Sequence, residues 1–312
     1  MSEKQRPNYE IRDEKYYQPS PTPYCLYEVD RKSGIAAITL NRPEKLNAAT
    51  PGDLMELRDR VIDVEEDTDV KVVVFKGAGE CFSTGMDLEW LGQAYNEKGK
   101  ERRLSQRYRH ARAEKLYGLR GFYQVVLTCL KATVAQVHGY CYGTAFQLAA
   151  VCDVVVASED AVFTDPTYRY IGASPIDMVL LMHTMGLKRV KEMMLTGRPI
   201  GAHEAAAVGL INRVVPRAKL EEETNKVLHL IAAQPYDAIV TGKACFETAM
   251  DIVGVGASLY AGLEEQTWQT NIQFRPDEFN LIKELQRQSL PEAITMSRLT
   301  KAAPNQMPAG LG

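Results

Sequence analysis

The chain alternates between short apolar segments and longer amphipathic ones. Apolar residues recur at every second position on both sides of a polar stretch, residues 30–34, and this pattern predicts a β-hairpin. Further along, β-branched and apolar residues follow one another without polar interruption, as in buried strands. The segments predicted as strands are residues 25–29, 35–40, 70–76, 132–137, 153–157 and 211–215.

Helical spacing of apolar residues marks other segments. Residues 51–66 place four apolar residues on one helical face, namely Leu54, Leu57, Val61 and Ile62. Toward the C-terminus the pattern is helical only, and the helices predicted there are residues 220–233, 237–250, 255–274 and 277–288. Strands that alternate with helices predict an α/β fold with parallel pairing. The expected organisation is an N-terminal extension (1–23), an α/β core (24–215), a helical region (216–290) and a tail (291–312).

Two turns of small residues stand where a strand is expected to lead into a helix. One is residues 139–143, before a short apolar helix, and the other lies within residues 81–88. Such a turn directs backbone N–H groups and the positive end of a helix dipole outward, which suits it to a developing oxyanion. Ordinary packing explains either turn alone equally well. Two in one chain favour a catalytic site, because both can donate to one oxygen.

Charge and cysteine content narrow the function classes. The net charge of −3 over 312 residues disfavours a nucleic-acid partner, which needs concentrated positive charge. No apolar run is long enough to span a bilayer, and residues 1–23 lack the apolar core of a secretion signal. The six cysteines form no CxxC pair, and the five histidines show no metal-ligand spacing. We expect reduced thiols, a cytoplasmic location and no metal.

A basic segment follows the second turn. Its cationic residues are Arg102, Arg103, Arg107, Arg109, Arg112, Lys115 and Arg120. Two interpretations stay open, a solvated helix face with interleaved glutamates or a patch that faces a phosphate or carboxylate group.

Five separated motifs occur in an order that a known family shares. They are residues 41–48 (NRPEKLNA), 82–88 (FSTGMDL), 139–153, 195–197 (LTG) and 205–215 (AAAVGLINRVV). Together they resemble the crotonase superfamily, the enoyl-CoA hydratase/isomerase group, over about residues 25–290. The resemblance implies stacked ββα units, a helical C-terminal region, and trimers that often pair into hexamers.

The resemblance also implies how a substrate is held. In the family, two backbone N–H groups bind the carbonyl of an acyl-CoA thioester, and they correspond here to Met86 and Thr144. An enolate concentrates charge on that oxygen, and one oxyanion donor typically lowers the barrier by roughly 3 kcal/mol. Arg42, Lys45 and Gly85 correspond to positions implied to meet coenzyme A; inert surface cations are the alternative for the first two. Coenzyme A is part of the substrate, so no separate cofactor is expected.

Two positions depart from the family's hydratases. Where those enzymes carry catalytic glutamates, this chain has Gln147 and Thr167. An amide or a hydroxyl cannot shuttle a proton near neutral pH as a carboxylate can. Hydration by the two-glutamate route is therefore not expected. Thr144 and Ala145 also replace glycines, which predicts a tighter or reshaped turn.

Residues 163–177 suggest what replaces the glutamates. Their spacing is similar to that of the oxocamphor hydrolase branch, which cleaves carbon–carbon bonds in cyclic β-diketones. By this resemblance, Tyr168 and Asp177 stand where that branch has a histidine and an aspartate. Asp165 is a second candidate carboxylate, and for each aspartate the alternative is a helix cap or a loop hydrogen bond. Four tyrosines suggest a pocket for a cyclic or aromatic acyl group: Tyr140, Tyr142, Tyr168 and Tyr170.

The leading hypothesis is carbon–carbon bond hydrolysis of a cyclic substrate, either an acyl-CoA thioester or a cyclic β-diketone. One alternative is another acyl-CoA reaction, such as isomerisation, decarboxylation or a specialised hydration. The other is a non-catalytic protein that keeps the fold for binding. By family analogy, apolar residues of the last helices, among them Leu259 and Leu263, are expected to pack across a trimer interface.

Overall fold

The computed structural model describes Tyr17, residues 19–90, 106–118, 121–167 and 178–269, and five single residues near the C-terminus. Within these ranges the strands are β1 (Cys25–Asp30), β2 (Ile35–Leu40), β3 (Val72–Gly77), β4 (Ala132–Val137), β5 (Tyr140–Tyr142), β6 (Val154–Ser158), β7 (Val162–Thr164), β8 (Ile200–Gly201) and β9 (Arg213–Val215). The helices are α1 (Pro51–Glu66), α2 (Gln106–Tyr117), α3 (Phe122–Leu127), α4 (Thr144–Val151), α5 (Met178–Met185), α6 (Leu187–Thr196), α7 (Ala202–Ala207), α8 (Leu220–Ala232), α9 (Tyr236–Ile252) and α10 (Val255–Gln269).

A six-stranded sheet forms the centre of the fold. Its order is β1-β2-β3-β4-β6-β9, in which β1 and β2 are antiparallel and every later pairing is parallel. Val73 and Phe75 face one apolar cluster and Val72 and Val74 face another. Because β3 is buried on both faces, its sequence is a nearly continuous apolar run. The predicted α/β fold with parallel pairing is confirmed.

A second, three-stranded sheet follows β4 along the chain, in the order β5-β7-β8. We predicted only a turn over residues 139–143, and this was wrong in part. Tyr140–Tyr142 forms a strand, because it pairs in parallel with β7 and its central residue, Cys141, bridges to Ser83. A strand of this length is too short for alternation to reveal it.

The predicted helix over residues 51–66 is confirmed. Thr50 begins it with a capping box, in which the Asp53 N–H donates to Thr50 Oγ1 at 3.2 Å and the Thr50 N–H donates to Asp53 Oδ2 at 2.8 Å. Ile62, expected on the core face, is exposed, and Val64 is buried instead. The buried positions therefore follow helical spacing from Leu54 onward.

The end of the N-terminal extension is tied to α1. Ser20 donates to Asp53 from its N–H at 2.6 Å and from its hydroxyl at 2.8 Å. Tyr17 lies beneath Lys115 of α2, with 3.8 Å between Nζ and the ring centroid. The arginine side chains of the basic segment lie outside the described residues, as does most of the extension.

The C-terminal helices differ in how they pack. Leu228 of α8 lies in the cluster that covers β3 and β4. In α9 the buried residue is Lys243, whose Nζ is 2.6 Å from Asp153 Oδ1. In α10, Leu259 is half-buried against the main apolar cluster and Leu263 is buried. The trimer contact expected of this region stays a prediction. Over the part of the chain that the structure describes, no helix combines the length and apolarity needed to cross a membrane.

Candidate active site

The two turns of small residues meet. The Ser83 N–H donates to Tyr140 O at 2.9 Å, and the Tyr142 N–H donates to Ser83 O at 3.1 Å. Gly85, with φ of +87°, lies so close to the start of α4 that a Cβ added to it would be 2.4 Å from Tyr142 O and 3.1 Å from Thr144 N. Only glycine fits both this backbone conformation and this approach. We call the meeting point of residues 83–86 and 142–144 the junction.

Backbone geometry leaves two amides at the junction, those of Met86 and Thr144, with no acceptor among the described residues. The Ala49 N–H donates to Gly85 O at 2.7 Å, and Ala49 O accepts from the Asp87 N–H at 2.9 Å. In this parallel bridge the Met86 N–H therefore points away from Ala49. Thr144 is the first residue of α4, where an N–H has no acceptor within the helix. The junction therefore combines two main-chain donors.

Thr144 and Ala145, which stand where the family has glycines, adopt ordinary helical conformations. The positive φ falls on Gly143, at +54°, whereas Thr144 and Ala145 are helical and buried. No special backbone conformation is required of the two substituted residues.

A buried asparagine organises the turn that carries Met86. Asn47 Nδ2 lies within 3.1 Å of three backbone carbonyl oxygens, those of Ala78, Cys81 and Phe82. Asn47 O accepts from Tyr24 Oη at 2.8 Å and from Ser83 Oγ at 2.7 Å. Ser83 Oγ in turn accepts from the Gly85 N–H at 3.0 Å. Sequence reasoning missed Asn47 and Ser83 as supports, because bonds to main-chain atoms of distant segments leave no pattern along the chain.

His138 supports the same segment from the end of β4. Its carbonyl accepts from the Phe82 N–H at 2.7 Å, and its Nε2 lies 3.1 Å from Gly79 O. Burial lowers the pKa of His138, and the nearby Arg217 guanidinium acts in the same direction, although the Gly79 hydrogen bond opposes both. A carbonyl only accepts, so the neutral ring with its proton on Nε2 fits this contact.

The two cations predicted to meet coenzyme A differ in environment. Arg42 Nη1 is 2.7 Å from Asp87 Oδ2 and 3.0 Å from Ala48 O, and the Arg42 side chain is 15% exposed. It therefore braces the turn that carries the Met86 amide. Lys45 is exposed, with Nζ 2.8 Å from Glu89 Oε2, and this hydrogen bond raises the pKa of Lys45. Of the two, Lys45 presents its charge at the surface.

Gln147 lies in the first turn of α4. Its N–H donates to Gly143 O at 2.9 Å, and helical side chains lean toward the N-terminus, so its amide extends toward Thr144. Gln147 is 2% exposed, and its Oε1 has no hydrogen-bond partner among the residues that the structure describes. The position thus offers a buried acceptor with no acidic proton.

Asp165 is fully buried directly after β7. Its Oδ1 accepts from the Thr167 N–H at 2.9 Å and from the Thr167 hydroxyl. These are the bonds of a helix cap or loop, the alternative that the sequence left open. Tyr168, Tyr170 and Asp177 lie outside the described residues.

The rings of Tyr140 and Tyr142 are in contact on one face of β5, with centroids 5.1 Å apart and planes tilted by 52°. Tyr140 is 45% exposed, whereas Tyr142 is half-buried. The tyrosine cluster suggested an enclosed pocket wall, but Tyr140 lies in an outer position. Side chains alternate along a strand, so Tyr140 points to the face opposite the core-facing Cys141.

Comparison with known proteins agrees with the motifs. The family model described as enoyl-CoA hydratase/isomerase matches residues 30–267. Enoyl-CoA hydratase domain-containing protein 3, mitochondrial, from Homo sapiens is 30% identical over 236 residues, which are 72% of this chain and 70% of that protein. Hydroxycinnamoyl-CoA hydratase-lyase from Pseudomonas fluorescens is 32% identical over 200 residues, which are 63% of this chain and 69% of that protein.

Solved structures share the fold. An enoyl-CoA hydratase/isomerase from Xanthobacter autotrophicus Py2 has a TM-score of 0.73 at 30% identity, covering 90% of this chain and 99% of that one. An enoyl-CoA hydratase from Mycobacterium smegmatis has a TM-score of 0.75 at 27% identity, covering 88% and 92%. The chain belongs to the enoyl-CoA hydratase/isomerase family, and hence to the crotonase superfamily.

Proposed function

We propose that this protein is an enzyme that stabilises an enolate with the amides of Met86 and Thr144. The observation that carries the proposal is the junction, where Gly85 brings the two turns together and both N–H groups lack a described acceptor. Donors held in place by the fold are suited to charge that develops on a carbonyl oxygen. The proposed carbonyl belongs to an acyl-CoA thioester or to a cyclic β-diketone.

Family membership supports the thioester. The Pseudomonas fluorescens relative is named for a CoA thioester, and the other three proteins described above are named as enoyl-CoA proteins. We assign Lys45 to a coenzyme A phosphate, because its ammonium group lies on an exposed loop. Arg42 and Gly85 shape that loop and the junction beside it. Coenzyme A would then enter as part of the substrate, with no separate cofactor.

The proposed reaction is hydrolysis of a carbon–carbon bond. Water adds to one carbonyl of a 1,3-dicarbonyl unit, and the bond from that carbon to the central carbon breaks. The electron pair passes to the oxygen of the second carbonyl, as an enolate held by Met86 and Thr144. A proton then returns to the central carbon, which leaves a carboxylate and a ketone or thioester.

The choice of this reaction rests on the side chains that stand in place of the family's glutamates. Gln147 and Thr167 provide no carboxylate, which disfavours hydration by two glutamates. We propose Asp177, with Tyr168, as the group that moves the proton or orients water. Asp165 is less suited to that role, because its Oδ1 already accepts two hydrogen bonds from Thr167.

We also propose a homotrimer, or a hexamer of paired trimers. Phe246, Ile252 and Val253 are exposed on α9 and the turn after it, where Lys243 is the buried residue. Exposed apolar groups on a structured helix are typical of a contact between subunits. A monomer in light scattering at micromolar concentration would contradict this assembly.

Deuterium exchange tests the enolate directly. The protein is incubated in D2O with several acyl-CoA thioesters and cyclic β-diketones, and NMR follows deuterium at the α-carbon while mass spectrometry follows cleavage. Because β-diketones also exchange without an enzyme, exchange faster than in a protein-free control, together with cleavage, is expected. Exchange without cleavage would favour another acyl-CoA reaction, and binding without exchange would favour the non-catalytic alternative.

A further inference from the structure

We infer that protonation of the Glu247 carboxyl group controls how firmly α9 and α10 are held against the rest of the fold. The neutral acid favours the packed arrangement, and the carboxylate weakens it. This switch lies near the amino ends of β4 and β6, whereas the junction lies beyond the carboxyl end of β4. The inference therefore goes beyond the proposed function and does not depend on the reaction.

The first step is the ion pair beside Glu247. Lys243, one turn earlier in α9, is buried, and its Nζ lies 2.6 Å from Asp153 Oδ1. Asp153 Oδ2 accepts from the Thr133 N–H at 2.7 Å and from the Thr133 hydroxyl at 2.9 Å. The charge of Lys243 is therefore already balanced by Asp153, which β4 holds in place.

The second step is the Glu247 carboxyl group itself. Its Oε1 is buried and accepts no hydrogen bond from the residues that the structure describes. Three carboxylates lie close enough to repel it, Glu65 of α1, Asp153 before β6 and Asp251 one turn later in α9. Burial raises the pKa of Glu247, Lys243 opposes this, and the three carboxylates raise the pKa further. A buried carboxylate without a donor is costly, so the packed arrangement favours the neutral acid.

The sign of the effect follows from this shift. Because the pKa of Glu247 is raised in the folded protein, the folded state binds this proton more tightly than the unfolded chain does. The stabilisation by the neutral acid is fully present below about pH 4.3, the usual glutamate pKa, and is lost as the pH rises through the raised pKa. Cys129 and Cys152 also lie near Lys243 and Asp153, but burial raises the pKa of both thiols and keeps them neutral.

The third step connects these charges to α10. Asp251 lies near the end of α9, and its Oδ1 would be 2.6 Å from a Cβ added to Gly256 at the start of α10. Ser258 Oγ of α10 accepts from the Val179 N–H of α5 at 3.4 Å. Repulsion between ionised Glu247 and Asp251 thus acts where α9 meets α10, and through α10 on α5. Because α5 begins directly after the proposed catalytic aspartate, the switch bears on a segment that leads into the site.

The test compares Glu247→Gln with the wild-type protein by amide hydrogen exchange, followed by mass spectrometry in peptides of α9, α10 and β3. Glutamine has nearly the same shape as glutamate and carries no charge at any pH. At pH 8 the α9 and α10 amides of Glu247→Gln should exchange about threefold more slowly or less, with β3 unchanged. At pH 5 the difference should be clearly smaller. His138 titrates in both proteins alike, so its effect cancels in the comparison.

Glu66→Gln is the matched control. Glu66 follows Glu65 at the end of α1 and is exposed, so its removal changes the net charge equally without touching the buried group. Exchange in α9 and α10 should stay at the wild-type rate in this variant. A measurement on the wild-type protein needs no variant at all. After correction for the intrinsic pH dependence of exchange, protection of α9 and α10 relative to β3 should fall between pH 5 and pH 8.

Equal exchange in Glu247→Gln and the wild-type protein at pH 8 would overturn the inference, and it is also the result expected if a water molecule donates to Oε1. A difference of the same size at pH 5 would overturn it too, since the amide and not the proton would then be the cause. Equal slowing in Glu66→Gln would assign the effect to net charge and reject the role of Glu247. The readout is backbone exchange and not turnover, so failure of this inference and failure of the proposed function are told apart.

Discussion

Gly85 lies so close to Thr144 that a Cβ added to Gly85 would be 3.1 Å from the Thr144 nitrogen. This approach joins two segments that are far apart along the chain. The relative placement of the Met86 and Thr144 amides thus depends on glycine, which has no side chain, at position 85.

The first prediction concerns that approach. Gly85→Ala should push the turns apart, because its Cβ would also lie 2.4 Å from Tyr142 O, and should lower kcat by about 100-fold or more. Gly242→Ala is the control, since a Cβ there meets nothing within 4 Å. It should keep full activity and gain about 0.5–1 kcal/mol of stability in α9. Steady-state kinetics and thermal unfolding measure both, and full activity in Gly85→Ala would contradict the role of the junction.

Substitutions of Arg42 and Lys45 should affect different kinetic constants, kcat for Arg42 and KM for Lys45. Arg42→Met breaks the pair with Asp87 beside Met86, so kcat should fall about tenfold or more as the amide loses its placement. Lys45→Met removes an exposed charge, so KM for a CoA thioester should rise about 3-fold or more with kcat nearly constant. A rise in KM alone for Arg42→Met would assign that residue to coenzyme A instead.

Asn47 should be costly to replace. Asn47→Ala removes the donor to three carbonyls and places alanine at φ of +56°, so a loss of about 3 kcal/mol of unfolding free energy is expected. Ser83→Ala removes one link of the same network and should cost about 1 kcal/mol. Urea unfolding measures both, and equal losses would show that the network does not centre on Asn47.

His138 should make stability depend on pH. Because burial lowers the pKa of His138, the unfolded chain binds this proton more tightly than the folded one. The contribution of neutral His138 to the free energy of unfolding is therefore fully present above about pH 6.5, the usual histidine pKa. It is lost as the pH falls through the lowered pKa of the folded state. His138→Gln, which can still donate to Gly79 O, should flatten the decline in melting temperature between about pH 7 and pH 5. The exposed His229→Gln should leave that decline in place, and an unchanged slope in His138→Gln would rule out this residue as its source.

Asp165 should prove to be a cap. Asp165→Asn keeps an oxygen that accepts from the Thr167 N–H, so turnover should stay within a few-fold of the wild-type value. Asp165→Ala removes the cap and should cost about 1 kcal/mol or more. Kinetics and melting temperature together decide, since a loss of about 100-fold in rate without a change in melting temperature would make Asp165 catalytic.

The sequence predicts the parallel core well, because strands such as β3 are apolar on both faces and leave a long continuous run. It predicts the two turns from their small residues and their place between strand and helix. The three-residue strand β5 stays hidden, since it depends on pairing with β7 and Ser83. Arg42 shows a further limit, because its ion pair with Asp87, 45 residues away, leaves no pattern along the chain.

Both proposed oxyanion donors are main-chain N–H groups, so among point mutations only a change to proline deletes one. Every other substitution acts on them indirectly, through spacing, as at Gly85. The side chains around the bound carbonyl can therefore change during evolution while the main-chain donors are kept. The reaction can change in this way without a change of fold. Gln147 and Thr167 are the positions where this chain has used that freedom.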